Sequence, residues 1–144
     1  MARIVSELVK LEKPELGTSV VPTALKSGTT TNTVPALATL EVDSRSFSMA
    51  EMERVKSAIY SLKPTHLDAR IEVVGGINRP PLEESATKSL YEKLELVAKR
   101  LEMGTIGSAI VGGASDGNFA GIHTQVLDGL GAVSYTHLTL PTKA

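Results

Sequence analysis

Between Leu40 and Arg45 the chain alternates strictly: Leu40, Val42 and Ser44 fall on one parity and Glu41, Asp43 and Arg45 on the other. Successive side chains of a strand point to opposite faces, so this segment predicts a half-buried strand with one largely apolar face and one charged face. Such a strand needs a covering layer on one side only. Ser48 followed by Glu51 supplies its beginning, because a serine hydroxyl and a glutamate three residues later satisfy the free N–H groups of a helix start. Met52, Val55, Ile59 and Leu62 then form an apolar stripe at helical spacing that ends before Pro64.

The neighbouring segments extend this pattern. Ile4, Val5, Leu8 and Leu11 predict a helix over residues 2–12, stopped by Lys13-Pro14 with Gly17 beyond. Residues 18–26 read as extended, and after Ser27-Gly28 a second extended stretch runs over 33–47. Residues 70–74 read as a further strand closed by Gly75-Gly76. The order helix, strand, strand, helix, strand predicts an α+β, ferredoxin-like two-layer sandwich whose first strand is missing, leaving a sheet edge without its partner. Pro80-Pro81 breaks the chain, and a second unit begins near Ile77. In it Ser85 and Lys88 open a third helix with the stripe Leu90, Leu94, Val97 and Leu101, followed by a short apolar strand over 106–111 and a glycine-rich turn over 112–118.

Composition removes several classes of function. The 144 residues suffice for one ordinary domain or one and a half small ones, and 15 basic against 16 acidic side chains give a net charge of -1. No basic field is present to recruit nucleic acid or anionic lipid. With no cysteine there is no disulfide framework, thiolate metal site or cysteine nucleophile, and a cytoplasmic location is the default expectation. Aromatics at 3% argue against a base-stacking platform. No apolar run approaches membrane-spanning length, and no signal peptide is evident.

Three features are candidates for chemistry. Asn32 and Arg45 flank the alternating strand, and an amide plus a guanidinium suit a planar carboxylate, although the same residues suit a turn and a solvated strand face. The 112–118 turn could offer backbone N–H groups to an anion, but it lacks the spacing of the nucleotide-binding glycine motifs and equally suits a plain strand-to-helix turn. Asp116 is a candidate base or metal ligand, or a helix cap. His66, His123 and His137 have no metal-ligand spacing, and Ser115 is not in a nucleophile elbow.

Four ordered segments, Ser27-Gly28-Thr29-Thr30-Thr31-Asn32-Thr33-Val34-Pro35-Ala36, Leu40-Glu41-Val42-Asp43-Ser44-Arg45, Gly75-Gly76-Ile77-Asn78-Arg79-Pro80-Pro81 and Gly112-Gly113-Ala114-Ser115-Asp116-Gly117-Asn118-Phe119, resemble zinc metallopeptidases of the aminoacylase and glutamate-carboxypeptidase type. The resemblance covers nearly all of residues 1–132 and implies a hydrolase in which a small lid, also the surface of a homodimer, is inserted into a larger catalytic domain. Residues 1–76 would be the lid and dimerisation domain, and 77–132 part of an α/β catalytic domain. The substrate would be an N-acyl amino acid or small peptide with a free carboxylate, its amide bond cleaved with zinc. Asn32 and Arg45 would reach that carboxylate, Arg79 would be a further substrate contact, and Gly112, Gly113, Ser115 and Asp116 would border the active site. The family's His-x-Asp pair, catalytic Glu and remaining metal ligands have no counterpart here, so no catalytic residue, no metal ligand and no bound zinc are expected of this chain alone. The rival reading is a non-catalytic ferredoxin-like binding or dimerisation module.

Residues 133–142 resemble a translated sequencing adapter, the alternative being a genuine β-rich tail. On the first reading 133–144 is not native, the natural sequence ends near Ala132, and the chain is a fragment of a longer gene. His137 would then be no metal ligand.

Overall fold

The computed structural model describes residues 1–130; the tail over 133–144 and His137 lie outside the described residues. The elements in order are α1 (Ala2–Val9), a single 3₁₀ turn (Pro14–Leu16), β1 (Ser19–Ser27), β2 (Ala38–Arg45), α2 (Met49–Tyr60), α3 (Glu84–Arg100) and α4 (Gly117–Ala120). The class is α+β, with a two-stranded antiparallel sheet covered on one face by helices.

α1 ends three residues short of the expected boundary. Leu11 N–H and Glu12 N–H bond back only three residues, to the carbonyls of Leu8 and Val9 at 2.9 and 3.2 Å, so the last turn tightens. Lys13 and Thr18 then exchange both backbone hydrogen bonds, at 3.0 and 2.9 Å, across the 3₁₀ turn and draw the chain into β1. Gly17 closes this turn at φ 65°, and the Phe47 ring occupies the space a side chain there would need.

β1 and β2 pair from Ser19 opposite Arg45 to Ser27 opposite Ala38, with a register irregularity between Pro22 and Ala24. Proline has no N–H for the ladder, and the extra residue Thr23 turns its hydroxyl to the Glu41 carbonyl at 3.2 Å instead. The alternation expected of β2 is realised: Leu40, Val42 and Ser44 are half-buried, and Glu41, Asp43 and Arg45 are exposed. Leu8 of α1, Val20 of β1 and Val55 of α2 form the buried core, with Ile4, Leu11, Leu40, Val42, Ile59 and Leu62 packed around them.

The N-cap of α2 is half of the expected box. Ser48 Oγ accepts from Glu51 N–H at 3.3 Å, but the Glu51 carboxylate does not return to Ser48. It accepts instead from Arg54 at 2.8 and 2.7 Å and from the buried Thr18 hydroxyl at 3.1 Å, while Arg54 also donates to the Leu11 carbonyl at 2.8 Å. This polar knot ties the end of α1, the start of β1 and α2 together. The hydrogen bond from Arg54, aided by Thr18, outweighs desolvation and lowers the Glu51 pKa to about 2.

Two expected strands are not formed. Residues 70–74 keep the alternation, with Ile71 and Val73 half-buried and Glu72 and Val74 exposed, yet no strand pairs with them among the described residues. Alternation describes residue types, whereas a strand exists only through a ladder with a neighbour. Residues 106–111 likewise remain irregular, with Ile110 and Val111 exposed. Residues 77–130 therefore show α3, α4 and irregular chain rather than an α/β pattern.

α3 starts with Glu83 at its cap position, ahead of the expected Ser85, and Glu83 makes no cap because its carboxylate accepts from Met49 N–H of α2 at 2.8 Å. Ala98 is the buried residue of α3, while Val97 and Leu101 of the expected stripe are exposed. The 117–126 segment packs along its first half through Val126 N–H to the Ala86 carbonyl at 2.8 Å. Among the described residues no helix is long and apolar enough to cross a membrane.

Candidate carboxylate-recognition site

Arg45 is the last residue of β2, on the charged parity, so the pleat directs its side chain away from the core. Asp43 shares that face two residues earlier, and Arg45 Nε donates to Asp43 Oδ2 at 2.8 Å. Arg45 Nη1 donates to the Gly112 carbonyl at 3.3 Å, across a sequence separation of 67 residues. The end of the alternating strand and the glycine-rich turn, two motifs singled out independently in the sequence, thus meet in space.

The 112–118 turn is held by Asn118, Ser115 and Asp128, of which sequence reasoning singled out Ser115 alone. Asn118 is buried; its Oδ1 accepts from Ser115 N–H at 2.8 Å and its Nδ2 donates to the Pro80 carbonyl at 2.9 Å. Ser115 Oγ donates to Asp128 Oδ2 at 2.6 Å and accepts from Gly117 N–H at 3.0 Å. The Ser115 hydroxyl and the Gly129 N–H hold the Asp128 carboxyl below its usual range. Arg79 stacks its guanidinium 5.1 Å from the centroid of the Phe119 ring, beside the Pro80 that Asn118 grips. A buried asparagine with both amide ends used was legible only as one polar residue next to a glycine.

The remaining expected residues are placed less closely. Asn32 is exposed in the connection between β1 and β2, and no hydrogen bond among the described residues ties its amide to Arg45. Gly112 and Gly113 are exposed, with open space where a side chain would stand. Asp116 occupies the cap position of α4 but makes no capping bond; the N–H groups its carboxylate would cap, those of Asn118 and Phe119, donate to the Ser115 and Asp116 carbonyls at 3.2 and 3.1 Å. The N–H groups of Ser115 and Gly117 are taken by Asn118 Oδ1 and Ser115 Oγ, so those two donors of the turn are not offered to an anion.

The charged group at this place is the Arg45 guanidinium. Among the described residues no three His, Cys, Asp or Glu side chains are grouped so as to hold a metal ion, so these residues do not fit a zinc centre. His66 is exposed beside Asp68, and His123 lines a shallow cleft with Ser85, Ala86, Gly121, Thr124 and Gln125 that contains none of the expected site residues.

Comparison with known proteins returns one family. No curated protein and no solved structure gives a significant match. Residues 1–69, which span α1, the sheet and α2, match the family described as the peptidase dimerisation domain (M20_dimer). This segment is similar to the dimerisation domain of M20 peptidases, a likeness that supports membership of that hydrolase family and formation of a homodimer.

Proposed function

We propose that this chain is the lid and dimerisation segment, with adjoining catalytic-domain residues, of a zinc-dependent amidohydrolase or carboxypeptidase acting on N-acyl amino acids or small peptides with a free carboxylate. The observation that supports this reading is the hydrogen bond from Arg45, in the segment that matches the dimerisation-domain family, to the Gly112 carbonyl of the glycine-rich turn. In this reading Arg45 holds the substrate carboxylate by charge-assisted hydrogen bonds, and Arg79, Gly112, Gly113, Ser115 and Asp116 line the approach. Asn32 joins them only if the connection between β1 and β2 moves toward the ligand. The metal chemistry is assigned to ligands that have no counterpart in this chain, and the enzyme is assigned to the cytoplasm.

The test is a titration of the isotopically labelled chain with N-acetylglycine and with its amide, N-acetylglycinamide, followed at the Arg45 side-chain resonances. The carboxylate should shift them saturably and the amide should not; Arg45→Lys should weaken carboxylate binding by about 1 kcal/mol, the scale of an exposed charge pair. Equal responses to both ligands would remove the carboxylate reading. The match to a dimerisation domain also favours the second reading, a module that dimerises without chemistry. His-x-Asp and Glu-Glu pairs in the reading frame flanking this gene segment would support the enzyme, and an uninterrupted frame without them would support the module.

A further inference from the structure

We infer that Asp43 is a specificity-determining residue of the Arg45 site, which selects among carboxylate ligands by charge and favours those with a cationic side chain, such as an N-acyl lysine or a peptide ending in lysine. The inference rests on the reading of Arg45 as the carboxylate holder. Of the five N–H donors of a guanidinium, Asp43 takes the Nε hydrogen and the Gly112 carbonyl takes one on Nη1. Among the described residues no other acceptor meets this guanidinium, so the edge formed by Nη1 and Nη2 is what they leave for a ligand. A carboxylate seated there lies beside the carboxylate of Asp43, which is itself half exposed and engages Arg45 through Oδ2 alone.

That placement has a definite electrostatic consequence. Arg45 and Asp43 together are neutral, so the site attracts a ligand carboxylate at short range but repels any second negative charge directed along β2. A cationic side chain extending the same way meets attraction instead. Glu41 shares this face two residues further on, about 13 Å from Arg45 by the rise of a strand against about 7 Å for Asp43. Lys26, at the far end of the sheet opposite Thr39, is the nearest cation of β1 and lies beyond both. Distance therefore ranks Asp43 first and Glu41 second.

The experiment measures dissociation constants of the full 144-residue chain for N-acetyl-lysine, N-acetylglycine and N-acetylaspartate at low ionic strength. We expect N-acetyl-lysine to bind about five-fold more tightly than N-acetylaspartate, the size of two opposed charge contacts across about 6–7 Å of solvent. In Asp43→Asn the ratio should fall below about two-fold, in Glu41→Gln it should change less, and in high salt it should flatten in the unsubstituted chain. Both substituted side chains are exposed, and an unchanged backbone amide spectrum confirms the fold. If N-acetylglycine binds but the lysine-to-aspartate ratio is one or less, or survives Asp43→Asn, charge selection is overturned while the carboxylate reading stands. If none of the three ligands binds, both fall together.

Discussion

Arg45 and Gly112, 67 residues apart, are joined by a hydrogen bond of 3.3 Å from the guanidinium to a backbone carbonyl, and it connects the end of β2 to the glycine-rich turn. The guanidinium is well exposed, so this bond positions the turn more than it stabilises the fold. Arg45→Ala should shift the carbonyl-carbon resonance of Gly112 while leaving stability within about 0.5 kcal/mol. A loss of several kcal/mol in denaturant unfolding would show that Arg45 is a structural residue.

Glu51 sets a pH dependence. Its folded-state pKa is lowered from 4.5 to about 2, chiefly by the hydrogen bond from Arg54, so the folded state binds a proton less readily than the unfolded chain. The sign follows: the stabilisation is fully present above about pH 4.5 and is lost as pH falls from there toward 2. Glu51→Gln should lower the unfolding midpoint at pH 6 and differ progressively less from the parent as pH falls through that window. Parallel midpoint curves for the two proteins would mean that Glu51 makes no net contribution through its charge.

What the sequence disclosed and what it withheld divide along range. The alternation of Leu40 to Arg45 and the Ser48 cap are set by residues within a few positions of one another, and both are realised. The Glu51–Arg54–Thr18 knot was hidden because Thr18 lies 33 residues from its partner, and a Ser-x-x-Glu pattern is satisfied in sequence whether or not the glutamate folds back. The same limit explains the strands expected over 70–74 and 106–111. Their apolar residues fit a sheet, but a ladder needs an adjacent edge, and the described sheet has only β1 and β2. At the candidate site, Arg45 was legible from its parity on β2, while its pairing with Gly112 and the grip of Asn118 on Pro80 are long-range contacts that no local spacing encodes.

The core is small, which makes single substitutions in it severe. Leu8 and Val55 are 1% and 2% exposed and meet between the two helices over Val20. Leu8→Ala should cost about 2–5 kcal/mol through lost transfer energy and the cavity left behind. That is a large part of the total stability of a domain this size, so the variant should be substantially unfolded at 25 °C by circular dichroism. Val9→Ala, on the half-exposed side of the same helix, should change stability by less than about 1 kcal/mol.

Asn118 offers the sharpest local test, because both ends of its amide are committed. Its Oδ1 satisfies Ser115 N–H and its Nδ2 satisfies the Pro80 carbonyl, at 2.8 and 2.9 Å, and the side chain is buried. Asn118→Ala leaves a donor and an acceptor without partners and should cost about 1–3 kcal/mol. Asn118→Asp keeps the size and the acceptor for Ser115 but sets a second oxygen against the Pro80 carbonyl, so above the carboxyl's pKa it should cost at least as much as alanine. Because the bonds join the 112–118 turn to residues 79–81, the loss should appear first as faster amide exchange in those two segments, with α1, β1 and β2 unaffected. The Arg79–Phe119 stacking should loosen with them, seen as a shift of the Phe119 ring protons. Uniformly faster exchange across the whole chain would show instead that Asn118 supports the global fold and not the turn.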